Sequence, residues 1–480
     1  MKRIFTILAS AVLLTAAMCV TASASSFDNT AKDLSSIGMF RGTGKGFELD
    51  RAPTRSEAAI MLVRLYGAEG TAKADYQAGK LTSPFTDVSE TVAPYAAWLY
   101  SNGITKGTGA NTFGGQSQCN LNMYCSFLLR ALGYEDGKDF SYATAPSFAM
   151  TKGILSSVND TAAFLRDDLA AVTYQALGTD LKDGSTYLLD SLIKSGAIDA
   201  KSAEAITGKI ETYRSLLTST SAASSTGIDA DYGMTMTLDM KMTGKDDAGQ
   251  PLDEQEAMNL SASGRIQMLL GDDPQLAMTM KTTTGTETQE TSTWLKDGWM
   301  YVQSGDMAYK TELEGYQETL AGYQELMNLC SQLNASMLPY ISSITSGKSG
   351  SSTVYTMTLD GKAFSGMIDD IMGLIGTAPM PIEDGSVGLD LDMDLKDCTY
   401  TYTINQKGQL TNCKAVLAMD MKMNIDAGTD GAMALTASMK ADVNMKINAM
   451  GSDIKITYPD FSKFQDIAAT LPSVLPAPTT

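Results

Sequence analysis

The chain runs to 480 residues, with 36 lysines and arginines against 55 aspartates and glutamates, a formal net charge of −19 and no histidine. That balance argues against nucleic acid and anionic lipid surfaces as partners, since both call for basic patches. The lack of histidine removes Ser-His-Asp and Cys-His triads, histidine-ligated zinc and the readiest general base at neutral pH; the length leaves room for two or three domains.

Residues 1–24 read as an export signal. Lys2 and Arg3 form a basic start, Ile4 to Val20 is apolar, and Ala22-Ser23-Ala24 fits a small-residue cleavage site. The mature chain is then expected to begin near Ser25 with a charge near −21, two cations being lost (−19 − 2). The apolar run is short for a membrane span and lacks a stop pattern. Met18 stands before Cys19 where lipid attachment requires a small residue, which argues against a lipoprotein. No other stretch is apolar and long enough to span a bilayer, so a secreted protein, soluble or wall-bound, is expected.

From Phe85 to Tyr134 the sequence announces a helix (Ala93, Ala97, Leu99, Tyr100), a turn bounded by Gly103 and Gly107, an aromatic stop at Phe113 and a second apolar helix from Met123 to Leu132. A unit of this size cannot bury both apolar faces alone, so copies of it are expected. Phe47 to Tyr66 aligns without a gap on Phe113 to Leu132, at an offset of 66 (113 − 47). A weaker third copy, Leu165 to Leu177, places Arg166 on Arg55 and Asp168 on Glu57, at an offset of 111 (166 − 55). Glycine-containing turns at Gly38–Gly42, Gly103–Gly107 and Gly153–Leu155 precede the three copies.

These residues carry a resemblance. F-x-D-V at Phe85 to Val88, a helix with Trp98, G-I-T-x-G, an aromatic, and T-R-S-E at Thr54 to Glu57 resemble the S-layer homology domain, and cover roughly residues 28–199 as three units, about 28–70, 85–134 and 140–199. The sequence departs from the pattern in places. Asn120-Leu121-Asn122-Met123 stands where the family has T-R-x-E, and the first and third units lack F-x-D-V. The resemblance implies three helices sharing one core, with loops at three grooves, and noncovalent attachment to an anionic secondary cell-wall polysaccharide. It implies Arg55 and Arg166 as ligand-facing, helped by free backbone N–H groups, with Asp87 and Trp98 shaping the groove beside the second unit. A plainer reading stands beside each: Arg55 pairs with Glu57 or the facing loop, Thr54 is an N-cap, and Trp98 is core. Leu121 takes the place of the arginine in the second unit, so that groove is expected to be weak or dead.

Five cysteines remain after signal removal, scattered and without C-x-x-C, which does not suggest a disulfide framework. Cys125 aligns with Ala59 and reads as a small buried hydrophobe. A turn at Lys407-Gly408 would put Cys398 opposite residue 417 (407 + 408 − 398) and away from Cys413. Residues 201–218 read as a closing helix and 219–227 as a Ser/Thr-rich linker, within a connecting region of 200–227.

Beyond the linker the period changes. Tyr232, Met234, Met236, Leu238, Met240 and Met242 alternate with Gly233, Thr235, Thr237, Asp239, Lys241 and Thr243, a strand with one dry face. Further strands are expected at Met258–Met268 and Leu276–Lys281, then a hairpin turning at Asp297-Gly298, and strands again at 387–405, 409–424, 431–448 and 452–458. Helical segments are expected within 312–344 and over 362–375, and a Pro-rich disordered tail over 464–480. The stretch 228–463 loosely resembles the half-open barrel of LolA-like and LppX-like lipoprotein carriers, which implies room for a hydrophobic ligand between sheet and helices, the 30 methionines of the chain giving an adaptable lining. The plainer reading is that the methionines fill a core.

Catalytic motifs fail on inspection. Gly42-x-Gly44-x-Gly46 lacks the spacing and preceding strand of a dinucleotide site. Asp390-x-Asp392-x-Asp394 starts like a calcium loop, but Leu395 and Thr401 occupy the positions of the turn glycine and the bidentate glutamate. Ser191-x-x-Lys194 lacks companion motifs. The reading is a multidomain chain: an all-α three-repeat helical domain, then an α+β domain with a curled antiparallel sheet and a helical cap. It is expected to be a wall-anchored surface protein, not an enzyme, with no metal or cofactor. The alternative is a wall-anchored carrier of a lipid or other hydrophobic ligand.

Overall fold

A computed structural model describes residues 27–155, 164–221, 227–245, 250–269, 275–312, 336–364, 388–426, 432–451 and 454–466. Two units divide the chain: residues up to Arg214 together with 331–343 and 362–380, and the remainder.

The first unit is helical. Its helices are α1 (Asp28–Ser36), α2 (Arg55–Leu65), α3 (Glu69–Gln77), α4 (Ala93–Ser101), α5 (Leu121–Ala131), α6 (Ala145–Thr151), α7 (Arg166–Leu177), α8 (Leu188–Lys194) and α9 (Ala200–Ser221). Local chemistry sets where α2 and α5 begin. Thr54 caps α2 in a reciprocal box with Glu57, and Asn120 caps α5 by accepting the Met123 N–H at 2.9 Å. The glycine turns close three helices in the same way. Gly38, Gly103 and Gly153 have φ of 71°, 69° and 68°. After each, the next N–H reaches back five residues, Met39 to Leu34, Ile104 to Leu99 and Ile154 to Ala149. Only glycine enters this left-handed conformation freely. The core is made by α2, α5 and α7, with Tyr124 and Tyr174 fully buried and the Tyr124 and Thr173 hydroxyls 2.5 Å apart.

One strip of this unit comes from far along the chain. Leu338 is 1% exposed, its N–H donates to Gln175 Oε1 at 3.2 Å, and the Met337 N–H donates to the Tyr213 hydroxyl. Tyr340 packs edge-on against Phe27 at 5.1 Å. The boundaries expected from sequence assigned this strip to the C-terminal domain.

The second unit is built on a curled, mostly antiparallel sheet. Its strands are β1 (Gly227–Lys245), β2 (Pro251–Leu269), β3 (Gln275–Thr284), β4 (Glu287–Lys296), β5 (Trp299–Ser304), β6 (Met307–Glu312), β7 (Ile341–Ser349), β8 (Ser352–Leu359), β9 (Gly388–Leu395), β10 (Cys398–Ile404), β11 (Leu410–Asp426), β12 (Ala432–Met450) and β13 (Gln465–Asp466). The order is β13-β6-β5-β4-β3-β2-β1-β12-β11-β10-β8-β7, with β9 also on β11; the β13–β6 pair is parallel. On β1, Met236, Leu238, Met240 and Met242 are buried, while Thr235, Thr237, Asp239 and Lys241 are exposed. The hairpin at Asp297-Gly298 has both residues at positive φ and pairs Lys296 with Trp299. Cys413 lies opposite Tyr402, and both Cys398 and Cys413 are free thiols.

Three expectations are corrected. Ile341–Ile344, the end of the stretch within which helical segments were expected, is strand and pairs into the sheet beside β8. Residues 454–458 form no strand; the Tyr458 hydroxyl there donates to Gln275 Oε1 at 3.2 Å. The closing helix extends to Ser221, three residues into the expected linker. The export signal, the core of the linker (222–226), most of the helical cap (313–335 and 365–387) and the tail from 467 lie outside the described residues.

Candidate functional site

Each candidate arginine opens a helix that is docked on the loop leading into another helix. The Arg55 N–H donates to the Ser117 carbonyl at 2.8 Å and the Ser56 N–H to Gly115 at 3.0 Å. The Arg166 N–H donates to the Arg51 carbonyl at 2.9 Å and the Asp167 N–H to Leu49 at 3.1 Å. The acceptors are equivalent, 117 − 51 and 115 − 49 both giving the offset of 66 between the two loops. Gly115 permits the close approach, since a Cβ there would lie 2.3 Å from Ser56 Oγ. These bonds, with the Glu57 N–H held by Thr54 Oγ1 at 3.2 Å, correct the expectation of free backbone donors: at α2 the first three N–H groups are already satisfied.

Arg55 is half-buried. Its Nη2 donates to Thr105 Oγ1 at 3.0 Å, its Nη1 meets the Met123 sulfur at 3.6 Å, and its guanidinium lies over the Phe113 ring at 5.2 Å. Nε is buried without a hydrogen-bond partner among the described residues. Burial draws the Arg55 pKa below its usual value, but a guanidinium stays charged in any protein. Tyr142, 48% exposed, lies near Arg55 and is fixed by its hydroxyl donating to Asn120 Oδ1 at 3.0 Å.

Arg166 is differently placed. It is 2% exposed, with Nη1 on Glu57 Oε1 at 2.7 Å, Nε donating to the Phe47 carbonyl at 2.9 Å and the guanidinium over Phe40 at 4.7 Å. Glu57 also takes two bonds from Arg51, at 2.7 and 3.1 Å. Burial pushes the Glu57 carboxyl up, but Arg51, the Thr54 N–H and Arg166 together bring it to about 2.

Asp87 is a loop clamp. Its carboxylate accepts the Phe113 and Gly114 N–H groups at 2.7 and 2.8 Å, which hold its pKa below the usual carboxylate value. Phe85, from the same motif, packs on Phe113 at 5.4 Å. The motif therefore sets the ring beneath Arg55. Trp98 packs on Tyr66 at 5.5 Å, and Tyr66 follows the end of α2 opposite to Arg55. Leu121 is buried at 3% exposure. Arg55 is thus brought together with Phe113, Thr105 and Met123, while Arg166 and Trp98 stand elsewhere. Thr105 and Phe113 lay within motifs read from the sequence but were not read as site residues; Tyr142 carried no signal at all.

No group of three or more Asp, Glu, Cys or His that could hold a metal occurs among the described residues. The three aspartates of the calcium-like run lie on strand β9. Asp394 at its end pairs with Lys396 at 2.5 Å, and Lys396 also reaches Asp420 at 2.9 Å.

Residues 84–120 match the S-layer homology domain. That match includes Phe85, Asp87, Trp98, Thr105 and Phe113, and it indicates a cell-surface, S-layer-associated location. No helix among the described residues is long and apolar enough to cross a membrane, which says nothing of strands. No curated protein matches the chain. Among solved structures, the ywiB protein from Bacillus subtilis matches at 12% identity over 43% of this chain and 92% of that chain, with a TM-score of 0.08, too low to carry a fold argument. The C-terminal match, over residues 212–467, is to a family of unknown function and not to a LolA-like or LppX-like carrier. As that match takes in more than half of its residues, the chain belongs to the family of unknown function DUF6612.

Proposed function

We infer that the helical unit anchors an exported chain to the cell wall by binding an anionic secondary wall polysaccharide at Arg55, and that the sheet unit is displayed as a binding or structural module without catalysis. The observation that carries this is the half-buried Arg55 guanidinium, which meets Thr105, Met123 and the Phe113 ring but no carboxylate among the described residues. A half-buried cation without a counter-charge is costly, and a carboxylate on a sugar would meet the guanidinium with charge-assisted bonds. Tyr142 offers an aromatic surface for an apolar sugar face. The recurring glycine caps and helix–loop dockings support a reading of residues 28–199 as three related units, of which the second, with Leu121, has no arginine seat.

The test is co-sedimentation of the full secreted chain with purified wall sacculi, before and after chemical removal of the secondary polysaccharide. Pelleting that disappears with the polysaccharide and weakens in Arg55→Ala supports the anchor. Equal pelleting of wild type and Arg55→Ala rejects Arg55 as the ligand contact.

A second reading rests on the dry face of β1, where Met236, Leu238, Met240 and Met242 are buried. Under it the sheet unit carries a lipid or other hydrophobic ligand. Lipid recovered by solvent extraction of the purified chain and identified by mass spectrometry supports this carrier role; a lipid-free chain rejects it.

A further inference from the structure

The end of α2 opposite Arg55 departs from its repeats. Tyr66 aligns with Leu132 at the offset of 66 (132 − 66) and with Leu177 at the offset of 111 (177 − 66). Both leucines are fully buried in the core. Tyr66 is only half-buried, and its ring packs on Trp98 at 5.5 Å. It forms one wall of a cleft of about 660 Å³, bounded by the ends of α2 and α5, the loop at Leu181–Asp183, and α8. That volume suits a small molecule.

The lining selects against anions. Leu65 and Ala131, the last residues of α2 and α5, both border the cleft, which therefore faces the negative ends of two helix dipoles. Its charged residues are Glu135, Asp183 and Lys182, and the lysine is already held by Asp139 at 2.6 Å. Ser191 and Ser195 place hydroxyls along the α8 side. Among the described residues no hydrogen bond engages the hydroxyls of Tyr66 and Ser191. We propose that this cleft binds a neutral sugar residue, its apolar face against the Tyr66 ring and its hydroxyls bonded to Tyr66 and Ser191. The site is separate from the Arg55 groove: the 11 residues of α2 put the two about 15 Å apart. It stands whether or not Arg55 holds an anion.

The test is calorimetric titration of the full secreted chain with three neutral trisaccharides, chitotriose, mannotriose and cellotriose, and with the anionic trigalacturonate. At least one neutral probe is expected to bind. Its affinity is expected to fall about ten-fold or more in Tyr66→Leu and in Ser191→Ala, and to be unchanged in Arg55→Ala. Tyr66→Leu installs the residue that the other two repeats carry, so the fold is expected to hold; if its melting temperature drops, Ser191→Ala decides alone. Binding by none of the neutral probes overturns the proposal, as does binding that survives both Tyr66→Leu and Ser191→Ala. Loss of a neutral probe in Arg55→Ala alone places the sugar in the arginine groove and also overturns it. Trigalacturonate binding that is lost in Tyr66→Leu but not in Arg55→Ala overturns the selection against anions.

Discussion

The carboxylate of Asp167 accepts the backbone N–H of Phe27 at 2.8 Å, in a site where both residues are buried. Burial pushes this carboxyl up to about 7, and the neighbouring charges of Asp168 and Asp28 act in the same direction. The folded state therefore holds the proton more tightly than the unfolded chain, whose carboxyl titrates near its ordinary value. The resulting penalty is absent below about pH 4, grows as pH rises toward 7 and is constant above; over about three pKa units it amounts to ~4 kcal/mol. Glu57 and Glu69, both held to about 2, act in the opposite sense: their contribution is present above pH 4.5 and is lost as pH falls toward 2. The chain has no histidine to obscure the window between. The melting temperature is expected to be higher near pH 5 than near pH 8, and this difference is expected to vanish in Asp167→Asn. A difference of unchanged size in that variant would assign the effect to another group.

The strip around Leu338 makes the helical unit depend on sequence more than a hundred residues beyond α9. Leu338 is 1% exposed, and Gly178 faces it so closely that a Cβ there would lie 2.8 Å from its methyl group. Leu338→Ala is expected to destabilise the helical unit by about 2–5 kcal/mol. A fragment ending at residue 218 is expected to melt below the full chain. Both are read by thermal unfolding followed through the helical circular dichroism signal. Equal melting of fragment and full chain would mean that the strip adds nothing to the unit's stability.

Asp87 is exposed, yet it fixes two consecutive N–H groups of the loop that carries Phe113. Asp87→Ala is expected to loosen that loop, withdraw the ring from beneath Arg55 and weaken retention on wall sacculi, while leaving the Arg166–Glu57 pair intact. Glu90→Ala, a nearby exposed acid outside the clamp, is the control. Equal retention of both variants would separate the clamp from the groove.

How much of this was legible in the sequence depended on the range of the cause. Thr54, Glu57 and the glycines at 38, 103 and 153 act within one turn of chain, and their spacing alone announced helix starts and stops. The alternation from Tyr232 to Met242 and the pairing across Asp297-Gly298 were equally local. The fates of Arg55 and Arg166 were not, because both have the same local setting. Only the partner brought up by another helix, Met123 in one case and Glu57 in the other, separates them. The insertion of Leu338 among the helices carried no periodic signal, being a short strip held by side chains such as Gln175 and Tyr213.

Gly107 ties the turn of the second unit to the site. It sits at φ 75°, and a Cβ there would come within 2.4 Å of the Thr112 carbonyl oxygen and 2.5 Å of the Phe85 ring. Its N–H donates to Thr105 Oγ1 at 3.2 Å, the same oxygen that accepts from Arg55. In Gly107→Ala the left-handed backbone is strained and Phe85 must shift, which disturbs Thr105 and Phe113 together. The expected outcome is a lower melting temperature joined to weaker wall retention. Gly44→Ala, at a glycine with open space around it, is expected to change neither. A Gly107→Ala chain that melts lower but pellets normally would show that the Thr105 contact is dispensable for wall retention.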